Sequence, residues 1–151
     1  MTSVIEEEAI VATGLEQLKT LLEQRTTGIA SLLDMSLETL EPGRVVFTLE
    51  TRPDFGNPLG TLHGGICSTL LDSAMGCSVH TALPEGSAGY TTLELKVNFV
   101  RPVRLDGVKL RCEGTTIHLG GRVATTEGRV TDDQGRLVAH GTSTCMVFGP
   151  A

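Results

Sequence analysis

The stretch NPLGTLHGGICSTLLDSAMG, Asn57 to Gly76, sets an aspartate nine residues after a lone histidine, inside an otherwise apolar run. Burying an unpaired carboxylate is costly, so Asp72 needs hydrogen-bond partners or an opening to solvent. It reads as a catalytic carboxylate, a buried hydrogen-bond anchor or a subunit contact. His63, Gly64 and Gly65 stand at the helix entrance, where the first N–H groups lack internal partners and carry the positive end of the helix dipole. Those amides are suited to polarising a carbonyl or holding an oxyanion. The plainer alternative is that the glycines let another backbone pass closely and His63 satisfies a local carbonyl.

One distance shapes the reading. Asp72 lies eight residues beyond Gly64, about 12 Å along a helix axis at ~1.5 Å per residue. One carbonyl cannot touch both groups of the same helix. If they share a centre, the entrance comes from one subunit and the aspartate from another. Antiparallel helices related by a twofold axis provide that, with two equivalent centres per dimer.

These residues need elements to position them. Residues 14–33 carry Leu15, Leu18, Leu21 and Leu22 at helical spacing, with a break near Thr26–Gly28. MSLETLEPGRVVFTLETRP alternates about Pro42–Gly43 and predicts a hairpin. From Gly65 to about His80 few polar positions point outward, which predicts a buried helix that ends at Pro84 and Gly86. YTTLELKVNFVRP alternates again: Leu93, Leu95, Val97 and Phe99 on one face, and Thr92, Glu94, Lys96 and Asn98 on the other. Residues 107–118, 121–132 and 136–148 predict three more strands, the last two joined by a tight turn at DDQG. The expectation is an α+β fold in which six antiparallel strands wrap one long central helix, preceded by an extra N-terminal helix. Residues 1–33 form a helical extension and 34–151 the main domain.

Bulk properties narrow the function. The chain has 151 residues, no Trp, five other aromatics and a formal net charge of −6, which disfavours nucleic acid as a partner. Cys67, Cys77, Cys112 and Cys145 form no CxxC pair and read as free thiols. The four histidines lack metal-ligand spacing, so no metal is expected. The opening MTSVIEEEAI is acidic where a secretory signal is basic, and no apolar run approaches membrane-spanning length. The reading expects a cytoplasmic protein.

The run NPLGTLHGG, the LLD that ends on the aspartate, and TTLELKVNFVRPV resemble the hotdog-fold acyl-CoA thioesterases, most of all the phenylacetate-degradation (PaaI-like) branch. The likeness covers about Gly28 to Phe148. It implies a long helix wrapped by an antiparallel sheet, assembled as a homodimer or as a dimer of dimers. It further implies Asp72 as nucleophile or general base, and the Gly64 N–H of the other subunit as donor to the thioester oxygen. His63 and Asn57 would shape the pocket, with Asn57 orienting water or carbonyl, and Thr92 would help place the water. Strand alternation puts Thr92 on the polar face, so its role requires that face, or a distorted strand start, to reach the pocket.

Acyl-CoA would be the substrate, with CoA a product rather than a cofactor. Gly65 is a further substrate-binding candidate, and Arg101 and Gly121 are candidates for the CoA end. For each charge the alternative is ordinary solvation, and Arg104 with Asp106 reads equally as a surface pair. Cys67 and Cys77 share the helix with Asp72 but read as small buried side chains. Two rival functions stand beside hydrolysis: a hotdog dehydratase or hydratase that pairs His63 with Asp72, and a non-catalytic acyl-CoA-binding module.

Overall fold

The computed structural model describes residues 12–150; residues 1–11, the first third of the expected 1–33 extension, and residue 151 lie outside the described residues. The elements run α1 (Gly14–Gln24), α2 (Ile29–Leu32), β1 (Ser36–Glu41), β2 (Arg44–Glu50), a 3₁₀ turn (Pro53–Phe55), α3 (Gly64–Ala82), β3 (Gly89–Phe99), β4 (Lys109–Leu119), β5 (Val123–Thr131) and β6 (Leu137–Phe148). All six strands form one antiparallel sheet in the order β1-β2-β4-β5-β6-β3, packed around α3. This is the hotdog arrangement expected from the sequence.

The core forms where the inward residues of the strands meet α3. Leu70, Leu71, Ala74 and Met75 on the helix are fully buried, as are Val45, Leu110, Cys112 and Val130 on the sheet. The helix can lie this close because Gly114 on β4 and Gly128 on β5 pair beneath it; Gly141 on β6, paired with Gly128, extends the row but lies against the Lys96 backbone of β3. A Cβ at Gly114 would overlap the backbone of Ala74, and one at Gly128 would press on Leu71 and Met75.

Helix α1 is started by a capping box, Thr13 and Glu16 each accepting from the other's backbone N–H. It docks on the C-terminal end of α3, where Gly14 lies against the His80 carbonyl too closely to admit a Cβ. The predicted break falls between Gln24 and Ile29.

Two expectations need correction. Helix α3 is not buried all round: Gly65 and Asp72 are exposed and Thr69 half-exposed, an open stripe at i, i+4, i+7. The apolar face read for β3 also fails at its start. The register with β6 shifts between Thr92 and Glu94, a bulge at Leu93. Beyond it Leu95 and Val97 pack on the core, whereas Leu93 is 52% exposed. Before it, Thr92 turns inward to α3.

Candidate active site

The bulge brings Thr92 to the aspartate. Thr92 Oγ1 donates to Asp72 Oδ1 at 2.8 Å, fixing one carboxylate oxygen, while Oδ2 has no hydrogen-bond partner among the described residues. The distorted strand start that a role for Thr92 required is therefore present. Asp72 lines a cavity of about 460 Å³ with Tyr90, Cys77, Leu22, Ile29, Met35 and Phe47 among its walls. Tyr90 stands there because Gly76 offers no Cβ against its ring, and its edge meets His80 at 5.9 Å between centroids. Burial raises the Tyr90 phenol above its usual range, with Cys77 and Asp72 adding to the shift. Burial also lowers the His80 pKa.

At the other end of α3 the loop 57–62 sets the helix entrance. Asn57 Oδ1 accepts from the N–H groups of Leu59 and Thr61, at 2.9 and 3.1 Å, and its Nδ2 donates to Thr61 Oγ1 at 3.0 Å. The carboxamide expected to orient water or carbonyl is thus largely spent on holding its own loop. The loop is pinned at its far end as well, where the His63 N–H donates to the Phe55 carbonyl at 2.8 Å. Arg52 lies over the Phe55 ring at 4.3 Å and pairs with Asp34 at 2.6 Å, tying this loop to the α2–β1 corner.

His63 is the N-cap of α3, its Nδ1 accepting from the Gly65 N–H at 2.8 Å. The imidazole is thereby fixed with its proton on Nε2. The plainer alternative does not hold as expected: among the described residues no other backbone passes the two glycines, which lie against the Phe99 and His63 side chains, and His63 caps an amide rather than satisfying a carbonyl. Gly65 must lack a Cβ because one would sit 2.9 Å from His63 Nδ1, and its amide is occupied by the cap. Gly65 is therefore not an available donor to substrate. The Gly64 N–H has no acceptor among the described residues. The Phe99 ring covers Gly64, 3.0 Å from where a Cβ would be.

Gly64 lines a second cavity of about 380 Å³, together with Asn57, Cys67, Phe99, Arg101 and Pro102. Arg101 enters it with one hydrogen bond, Nε to the Leu137 carbonyl at 3.3 Å. Gly121 reaches neither cavity. Its turn is tied to Val147 through the Arg122 carbonyl, whereas Arg101 is tied to Val138. Those anchors lie nine residues apart on β6, roughly 30 Å at ~3.3 Å per residue.

The two candidate groups are thus separate within the chain: a hydrogen-bonded carboxylate in a largely apolar cavity, and an amide with no acceptor among the described residues in a cavity that holds an arginine. The thiols nearby are poor nucleophiles. Burial pushes Cys67 up to about 11, and burial followed by the charge of Asp72 pushes Cys77 up to about 12. Among the described residues no group of three His, Cys, Asp or Glu side chains could hold a metal ion, and no helix is long and apolar enough to cross a membrane.

Sequence reasoning passed over Tyr90, Phe99 and the α1–α2 wall. Tyr90 had a usable signal, since it alternates in phase with Thr92. The wall had none, because it forms only when the N-terminal helices fold back beside α3.

Comparison with known proteins gives consistent matches. The family model described as the thioesterase superfamily matches residues 59–139, more than half of the 151 residues. The 1,4-dihydroxy-2-naphthoyl-CoA hydrolase of Escherichia coli K12 is 28% identical over 109 residues, 72% of this chain and 78% of that protein. The structure of the E. coli PaaI protein from the phenylacetic acid degradation operon aligns with a TM-score of 0.80 over 91% of this chain and 95% of that one; at 17% identity the likeness is one of fold. A hypothetical thioesterase of Streptococcus pneumoniae TIGR4, solved with coenzyme A, aligns with a TM-score of 0.70 at 28% identity, over 77% of this chain and 87% of that one.

Proposed function

The chain belongs to the thioesterase superfamily and is a thioester hydrolase, and from that premise we propose that it cleaves acyl-CoA to free acid and CoA at a centre shared by two subunits. The observation that carries this reading is the division of the site: a carboxylate oriented by Thr92 at one point of α3, and an unused N–H at Gly64, about 12 Å away along the same axis at ~1.5 Å per residue. Neither half completes a thioesterase. A twofold partner laid antiparallel along the open stripe of α3 would bring the missing half to each.

In the assembled centre the thioester carbonyl accepts from Gly64 N–H of the partner subunit, and Asp72 Oδ2 faces the carbonyl carbon. The carboxylate takes a proton from water as hydroxide attacks, or attacks directly to give a mixed anhydride that water then opens. Either way the negative charge gathers on the carbonyl oxygen at the Gly64 amide. The C–S bond then breaks, and the CoA thiolate takes up a proton. Thr92 keeps the carboxylate aimed. His63 holds the helix entrance so that the amide points outward, and Asn57 holds the loop before it.

The two cavities suit the two ends of the substrate. The apolar walls beside Asp72 fit the acyl group, with aryl and arylacetyl groups first and medium chains next. The naphthoyl-CoA hydrolase at 28% identity is a relative named for an aryl substrate. Arg101 beside Gly64 suits the charged CoA arm.

Thiol release from phenylacetyl-, hydroxybenzoyl-, hexanoyl- and palmitoyl-CoA tests the reading, with Asp72→Asn as the control. The wild type is expected to release thiol, fastest from the aromatic esters. The variant is expected to keep its fold and lose about 10²–10⁴ in rate. An Asp72→Asn protein as fast as the wild type would remove Asp72 from the chemistry.

A further inference from the structure

Tyr90 stands at the start of β3, and three contacts hold its half-buried ring in one place. Its residue pairs with Val147 of β6. Its ring lies against Gly76, where any Cβ would collide with the phenol oxygen, and it meets the His80 ring at 5.9 Å with the planes nearly perpendicular. The hydroxyl is what these contacts leave over. It makes no hydrogen bond among the described residues, yet it is not walled off from solvent, and Tyr90 lines the cavity that holds Asp72. Burial raises the phenol's pKa, so near neutral pH it is a proton donor rather than a phenolate.

We infer that Tyr90 is a specificity-determining residue whose hydroxyl donates to an oxygen on the acyl group, placed about one aromatic ring away from the thioester carbonyl. The inference rests on the acyl-CoA reading above and names the acyl group that fits: an aromatic ring with a hydroxyl opposite the carbonyl.

The helix sets the distance. Gly76 follows Asp72 by four residues, so the phenol over Gly76 stands one turn further along α3, roughly 6 Å at ~1.5 Å per residue. Residues four apart lie on one helix face, so the carboxylate and the hydroxyl address the same strip of the cavity. With the carbonyl carbon at Asp72, a ring extending towards the C-terminal end of α3 spans that turn between the apolar walls Met35 and Phe47. A substituent at its far corner then meets the hydroxyl.

Other hydroxyls of the cavity are placed less well. Ser73 stands at the level of Asp72, beside the carbonyl rather than a turn beyond it. Thr27 and Ser31 are exposed, and Ser31 already donates to the Thr26 carbonyl at 3.3 Å. An acyl group lacking the oxygen would shut the Tyr90 hydroxyl away from water with nothing to bond. Unpaired buried donors of this kind are how a site rejects the analogue that lacks their partner.

Tyr90→Phe removes the hydroxyl and keeps the ring, and it breaks no hydrogen bond among the described residues. Thiol release would be compared for 4-hydroxybenzoyl-CoA and benzoyl-CoA. Affinity would be compared for the thioethers 4-hydroxybenzyl-CoA and benzyl-CoA, which keep the ring at the same distance from sulfur but have no carbonyl to attack. The wild type is expected to favour the hydroxylated member of each pair about tenfold or more, in kcat/KM and in Kd. Tyr90→Phe is expected to bring each pair within about twofold, with benzoyl-CoA still cleaved near its wild-type rate. A tyrosine that only packs would move both members of a pair alike. A wild type without the preference, or a preference that survives in Tyr90→Phe, would overturn the inference. A Tyr90-dependent preference among the thioethers, with no thiol release from either ester, would uphold the subsite and overturn the hydrolysis reading alone.

Discussion

Asp72 and Gly64 each have a neighbour that decides what they can do. Thr92 occupies one oxygen of the aspartate at 2.8 Å, and the His63 cap uses up Gly65 but not Gly64. Deleting the Gly64 donor alone is feasible because proline is tolerated at the first helical position. His63, with φ −68° and ψ 132°, already has the extended backbone that a residue before proline needs. Gly64→Pro is expected to fold and lose roughly 10²–10³ in kcat. Gly64→Ala, which keeps the N–H and only nudges the exposed Phe99 ring, should stay within a few-fold of wild type. Equal loss in both would point to steric blockage rather than a missing donor. The cysteines make a separate prediction. With Cys67 at about 11, roughly one thiol in a thousand is ionised at pH 8. Iodoacetamide at that pH should leave activity intact over an hour, with ionisation and inactivation rising only as the pH approaches 11. Rapid inactivation at pH 8 would show a reactive thiol at the centre.

At the level of elements, the sequence revealed the hairpin, the long helix and the later strands because period-two and helical patterns are local. The glycine row was equally visible in CEGTT, TEGRV and AHGTS, but its meaning depends on register, which joins residues far apart in the chain. The Leu93 bulge was hidden for a related reason. A single extra residue leaves alternation intact on paper and shifts it only against the neighbouring strand. That shift is what lets Thr92 serve Asp72, so the site depends on a feature that local pattern does not encode. The open stripe of α3 was misread because Gly65 and Thr69 look neutral in a mostly apolar run. The glycine row gives the prediction proper to this scale. Gly114→Ala drives a Cβ into the Ala74 backbone, which cannot move without the helix. Denaturant unfolding should show a loss of about 1–3 kcal/mol or more, whereas Ala at the exposed Gly121, which has nothing nearby, should cost well under 1 kcal/mol. Equal stability of the two variants would mean that α3 does not press on the sheet at that row.

For the whole molecule, the decisive fact is that the two chemical groups lie on one rigid helix and face different cavities. The His63-to-Asp72 spacing anticipated this, since helix rise alone separates the groups. What the spacing could not give was the exposed edge of β3, because an edge strand is a property of the finished sheet. The measurement that tests the account most directly is subunit complementation. Asp72→Asn and Gly64→Pro chains would be co-expressed with different tags, and the mixed dimer isolated. In that dimer one centre carries both lesions, and the other combines an intact Asp72 with an intact Gly64 from the opposite chain. The account predicts about half the thiol-release rate of the wild-type dimer from two parents that are each nearly inactive. A mixed dimer as inactive as its parents would contradict it, and would mean that each chain completes its own site.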